Sequence, residues 1–187
     1  MHLSGPVVRA VTPADVAAVT RLQVASWREA YAGIIPPGYL AAMSAAEREQ
    51  RHLARVRDPE PRAAYLLAER DGAVVGMTNV GPSRDDDLDP AVVGEIRAMY
   101  VDPPAWSSGV GAALMRAALD HLRTHGARAV ALWVLEGNER ARAFYERWQF
   151  RPDGGRQIVE LGRSVPEVRY YRQLTDERSP GPDVWRT

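Results

Sequence analysis

Glu95 to Met115, EIRAMYVDPPAWSSGVGAALM, is the stretch whose reading decides the fold. Residues 92–101 alternate as a strand does, with Glu95, Arg97, Met99 and Val101 on one side and Ile96, Ala98 and Tyr100 on the other. A proline-broken loop follows. The chain then turns into a helix at Ser107-Ser108-Gly109-Val110-Gly111, where Val110, Ala113, Leu114, Ala117, Ala118, His121 and Leu122 recur at the helical period. Gly126 ends it, and residues 129–135 form a second apolar strand. A strand, crossover helix and strand in this order predict a parallel pair.

The turn is where ligand chemistry is expected. The first peptide N–H groups of a helix have no intrahelical partner and sit at the positive end of its dipole, so they suit a phosphate. Glycine at 109 and 111 removes the Cβ atoms that would hold a ligand off that backbone. No Gly-Lys-Ser/Thr follows, so this is not a Walker loop. Leu114 stands where a dinucleotide fingerprint requires its third glycine.

Downstream, Asn138 is a good N-cap for a helix carrying Ala141, Phe144, Tyr145 and Trp148 on one stripe; Asn138 and Tyr145 lie two turns apart and share a face. Phe150 leads through Pro152-Asp153-Gly154-Gly155 into two closing strands at about 157–161 and 168–174. Residues 175–187 are polar and proline-punctuated and read as a disordered tail after a single domain over 1–174.

Upstream, residues 7–11 read as a strand, followed by a helix with Thr12 as N-cap and Pro13 at its first position. This helix continues through Trp27 and Tyr31 until Gly33 and Pro36-Pro37 stop it. The two aromatics are read either as core anchors or as part of an acceptor pocket. Ser44 to Glu47 matches a capping box, and the helix after it has a charged, solvated face over 47–57. Residues 64–69 and 73–80 are strands joined by Asp71-Gly72, a strong hairpin signal. Asp85-Asp86-Asp87 reads as a solvated loop rather than a metal site, because neighbours on an extended chain point in opposite directions. His121 and His125 lack a third ligand.

With 187 residues the chain suits one domain. The net charge of +0 gives no ground for nonspecific attraction to nucleic acid or anionic membrane. There is no cysteine, hence neither disulfide nor thiolate nucleophile. No apolar run approaches the roughly 18 residues of a membrane span, and no signal-like segment opens the chain, so a cytoplasmic protein is expected.

Residues 95–111 resemble motif A of the GNAT-type (GCN5-related) N-acetyltransferases, Q/R-x-x-G-x-G/A, and residues 133–150 resemble their motif B. The first signature position falls on Trp106, neither Gln nor Arg. Hydroxyls of Ser107 and Ser108 are candidates to share its role toward pyrophosphate. The resemblance implies a single α/β domain with a mixed, mostly antiparallel twisted sheet of about seven strands, about four helices on both faces, and splayed central parallel strands. It implies acetyl-coenzyme A as cosubstrate without metal, and direct transfer to a primary amine. Cofactor contacts would come from Met99, Tyr100, Val101, Trp106, Ser107, Ser108, Gly109, Val110, Gly111, Ala112, Asn138 and Tyr145, with Met99 and Val101 acting through their main chain. Tyr145 would be the acid for the leaving thiolate. Glu95 would be the base, with an arginine ion pair as its competing role, and Trp27, Tyr31 and Glu95 would meet the acceptor. A non-catalytic acyl-coenzyme A module and a protein N-terminal acetyltransferase are the alternatives. The acceptor class is open, and a homodimer is allowed.

Overall fold

The computed structural model describes residues 5–174, so the tail expected over 175–187 lies outside the described residues. The chain opens with β1 (Val7–Ala10), passes a 3-10 turn at Pro13–Asp15, and enters α1 (Val16–Ala30). The short α2 (Pro37–Ala41), not foreseen from sequence, precedes α3 (Ala45–Arg57). The hairpin of β2 (Ala64–Arg70) and β3 (Ala73–Pro82) follows, then β4 (Val93–Val101), α4 (Val110–Thr124) and β5 (Ala129–Leu135). Then come α5 (Glu139–Arg147), β6 (Arg151–Glu160) and β7 (Ser164–Gln173).

The seven strands form one sheet in the order β1-β2-β3-β4-β5-β7-β6. Every pairing is antiparallel except β4 with β5. Asp71 and Gly72 both have positive φ (51° and 77°), the geometry that lets a two-residue turn follow the twist of its strands. Ser44 accepts a bond from the Glu47 N–H and so caps α3.

Strand alternation divides the core between the two faces. Leu67 and Met77 turn towards Val19 and Leu22 of α1. On the opposite face Ala68 meets Val110 and Leu114 of α4. A Cβ on Gly76 would lie 2.8 Å from both Leu114 Cδ1 and Val110 Cγ1, so this glycine sets how closely α4 approaches β3. Farther along, Met115, Leu119 and Leu122 of α4 join Tyr145, Trp148 and Phe150 in the largest cluster.

The structure adds to three local readings. The Asp85-Asp86-Asp87 loop leaves Asp86 and Asp87 exposed and is also pinned: Arg169 pairs with Asp85, Asp87 and Asp153, and the Trp133 indole N–H donates to Asp85. The Pro152–Gly155 segment lies inside β6, because register passes from Pro152 opposite Tyr170 to Arg156 opposite Val168. Residues 153–155 therefore bow out against one residue of β7. The charged face of α3 is exposed, and the inner side of the helix carries one polar core residue, His52, 3% exposed. Among the described residues no helix is long and apolar enough to cross a membrane, and no group of three or more metal-type side chains converges.

The hydrogen bonds of His52 fix its form. Its Nδ1 accepts from the Tyr65 hydroxyl at 2.6 Å, so its Nε2–H donates to Gln23 Oε1 at 3.0 Å. Burial, followed by the charges of Arg55 and Arg48, pushes its pKa down from 6.5 to about 4. The unfolded chain thus takes up a proton that the folded one resists, and stability present above pH 6.5 is lost as the pH falls towards 4. Urea denaturation at pH 7 and pH 5 is expected to differ by about 2 kcal/mol from this source. His52→Gln should remove that part of the difference.

Candidate active site

The site is built on an interruption of the sheet. Parallel pairing of β4 with β5 holds for three pairs, ending at Glu95 with Ala131, and then the strands part. Just beyond, Asn79 pairs with Ala98 and Val80 with Ile96, which leaves Arg97 as the extra residue of a bulge. This breaks the strict alternation read from sequence. The Asp102 N–H donates to Val75 of β3, so Tyr100 bonds towards β3 and the peptide groups of Met99 and Val101 face the gap. A cleft of about 1170 Å³ occupies it, running from the Ser107–Gly111 turn to Trp27 and Tyr31.

At one end Ser107 (φ 61°) and Gly109 (φ 86°) bend the chain into α4. Of the twelve residues expected to hold a cofactor, ten line the cleft; Ser108 and Val110 do not. The Ser108 hydroxyl donates to the Ala105 carbonyl and accepts from Arg70, so it is already engaged. The Val110 side chain is fully buried in the core, leaving only its peptide at the turn. A Cβ on Gly111 would sit 3.3 Å from the Phe144 ring, so this glycine also serves the contact between α4 and α5.

Trp106 has its own partners. Its indole N–H donates to the Val101 carbonyl at 2.9 Å, which also accepts from the Ser26 hydroxyl at 3.2 Å. Arg140 of α5 stacks on the Trp106 ring at 3.7 Å, so the pair spans the two walls. Arg140, Arg116 and Arg147 all line the cleft, and none forms a salt bridge among the described residues. Desolvation, then the charge of Arg147, pulls the Arg140 guanidinium below its usual pKa. These cations and the free N–H groups of α4 make this end suited to phosphate.

The middle of the cleft is neutral. Burial pushes the Tyr145 phenol well above its ordinary pKa, and its hydroxyl takes no hydrogen-bond partner among the described residues. Tyr31 and Tyr100 are raised in the same way. Asn138 accepts from the Ala141 N–H at 3.1 Å and caps α5 while lining the cleft. Trp27 and Tyr31 meet edge to face at 5.0 Å, and both line the cleft and pack on the Ile35 cluster, combining the two roles read for them.

Glu95 sits at the vertex, 3% exposed, and it is not a free carboxylate. Arg84 Nε donates to Oε2 at 3.0 Å and Nη2 to Oε1 at 2.6 Å, with the Arg84 N–H also on Oε2. Its environment is the arginine ion pair, formed with a loop residue that carries no sequence pattern. Sequence reasoning also missed Arg97, at the bulge, and Trp133, Gln157 and Glu167, which line the cleft from ordinary strand positions.

The model of the Acetyltransferase (GNAT) family matches residues 23–150. A probable N-acetyltransferase of Mycobacterium tuberculosis, Rv2775, is 31% identical over 171 residues, covering 87% of this chain and 91% of that protein. Among solved structures, the PaiA N-acetyltransferase of Thermoplasma acidophilum in complex with coenzyme A superposes with a TM-score of 0.72 at 17% identity, covering 91% of this chain and 100% of that one. YncA of Salmonella typhimurium, a putative acetyltransferase solved with acetyl-CoA, gives 0.68 at 20%, covering 95% and 98%.

The turn yields a contrast between its glycines. Gly109→Ala is expected to cost about 1 kcal/mol in chemical denaturation, since a side chain at φ 86° is strained whatever the space around it. Gly111→Ala, in a helical conformation, should act only by pushing Phe144 and cost less.

Proposed function

This chain belongs to the acetyltransferase (GNAT) family, and from that premise we propose that it moves an acetyl group from acetyl-coenzyme A directly to a primary amine of a small acceptor. One observation carries the reading: β4 parts from β5 beside a glycine turn, and a buried Tyr145 hydroxyl, without a hydrogen-bond partner among the described residues, lines the resulting cleft.

The residues present fit such a ligand. Peptide N–H groups of Gly109 to Gly111 and the guanidinium of Arg140 would hold the diphosphate. Arg140, carried on the Trp106 ring, brings a cation where the family signature has Gln or Arg. Peptide groups of Met99 and Val101 would bond the pantetheine amides as a neighbouring strand would, and Asn138 would meet the same arm. Tyr100, Ser107 and Ala112 complete the walls. Trp27 and Tyr31 would receive the acceptor.

In the reaction the neutral amine nitrogen attacks the thioester carbonyl carbon, and the C–N bond forms as the carbonyl becomes an oxyanion. A peptide N–H of the splayed strand stabilises that charge. The C–S bond then breaks and the sulfur takes the Tyr145 proton. Burial disfavours thiolate and phenolate alike, so the phenol stays protonated until the sulfur departs. The proton lost by the new amide nitrogen restores Tyr145 through water. With both oxygens on Arg84, Glu95 fixes the vertex of the cleft and reaches the amine's proton only through a water on Oε1.

Calorimetry with coenzyme A is expected to detect binding to the full chain, and none would overturn the proposal. Tyr145→Phe should leave that affinity within about twofold while lowering kcat about 100-fold on any amine that turns over. Wild-type turnover in this variant would remove the acid role.

A further inference from the structure

Two carboxylates line the cleft, and they differ in what balances them. Glu95 is bound by Arg84 through both oxygens, with Arg97 Nε 3.8 Å away. Glu167, on β7 opposite Leu135, accepts only from the neutral amide of Gln157, at 2.7 Å. No cation pairs with it among the described residues. Burial raises its carboxyl pKa, and no arginine offsets that effect. Its charge also pushes up the phenols of Tyr31 and Tyr100, so these groups lie within electrostatic reach of one another.

The end of the cleft remote from the glycine turn is thus an aromatic and aliphatic chamber of Trp27, Tyr31, Tyr100 and Leu161 around Glu167, with the Arg48 guanidinium stacked on Trp27 at 4.6 Å and no ion pair to Glu167 among the described residues. A half-buried carboxylate without a counter-ion is expensive, and a bound cation removes that cost. Aromatic faces add to the attraction of an ammonium. Resting on amine acetylation as proposed above, we infer that Glu167 is the counter-ion for the acceptor, so that this cleft selects amines bearing an additional positive charge over neutral or anionic ones of the same length.

Three isosteric probes test this: 1,4-diaminobutane, 4-aminobutan-1-ol and 4-aminobutanoate. Each is titrated calorimetrically into the full chain, with and without saturating coenzyme A. The diamine is expected to bind at least tenfold more tightly than the alcohol, and the amino acid least. In Glu167→Gln the ratio of diamine to alcohol should fall to about one, while Glu167→Asp keeps a preference and an unchanged coenzyme A affinity shows that both variants fold. Equal affinities in the wild type, a ratio unaltered by Glu167→Gln, or no association with any probe would each overturn the assignment. Failure to bind coenzyme A would instead remove the acetyl-transfer reading and leave the amine titration to decide Glu167 by itself.

Discussion

Peptide groups removed from water must find partners, and the divergence of β4 from β5 leaves those of Met99 and Val101 without a strand beside them. The protein covers part of this deficit with side chains. Trp106 and Ser26 both donate to the Val101 carbonyl, and the bulge at Arg97 turns the strand away from its neighbour. The vertex is closed by Glu95, whose charge Arg84 balances. The remaining unpaired groups form an edge inside the molecule, accessible from the cleft alone. A flexible chain of amides can add there as an extra strand without disturbing the seven already paired.

Charge is graded along the same cleft. Arg116, Arg140 and Arg147 stand near the start of α4, where the helix dipole adds to their field. Tyr31, Tyr100 and Tyr145 keep the centre uncharged, because burial holds their protons on. Glu167 closes the far end. The cleft therefore carries opposite charge at its two ends.

Much of this was legible in the sequence, and the reason is locality. The strand over 92–101, the Asp71-Gly72 turn, the glycine pair and the Asn138 cap are each decided within a few residues, and each is present in the fold, the strand with a bulge. What escaped depends on distant partners. Asp87 is solvated as read, but the hold of Arg169 on it and on Asp85, more than 80 residues on, has no local signal. His52 sits among charges in sequence and is buried only because Gln23 and Tyr65 converge on it. The bulge at Arg97 adds one residue without altering the pattern of apolar side chains, so alternation continues on paper past the point where it stops in space. Glu167 lies in an unremarkable strand, and only the fold brings it to the cleft.

The three-residue bow in β6 also bears on how molecules meet. β6 ends the sheet, carries an Ile158 that is 62% exposed, and would otherwise present a ten-residue edge strand to solvent. Pro152 has no N–H to offer, and residues 153–155 leave the plane, so only Arg156–Glu160 remains straight. A strand from another molecule finds only the shorter, straight half of β6 to dock along. The irregular edge thus lowers the tendency of that isoleucine to seed pairing between molecules.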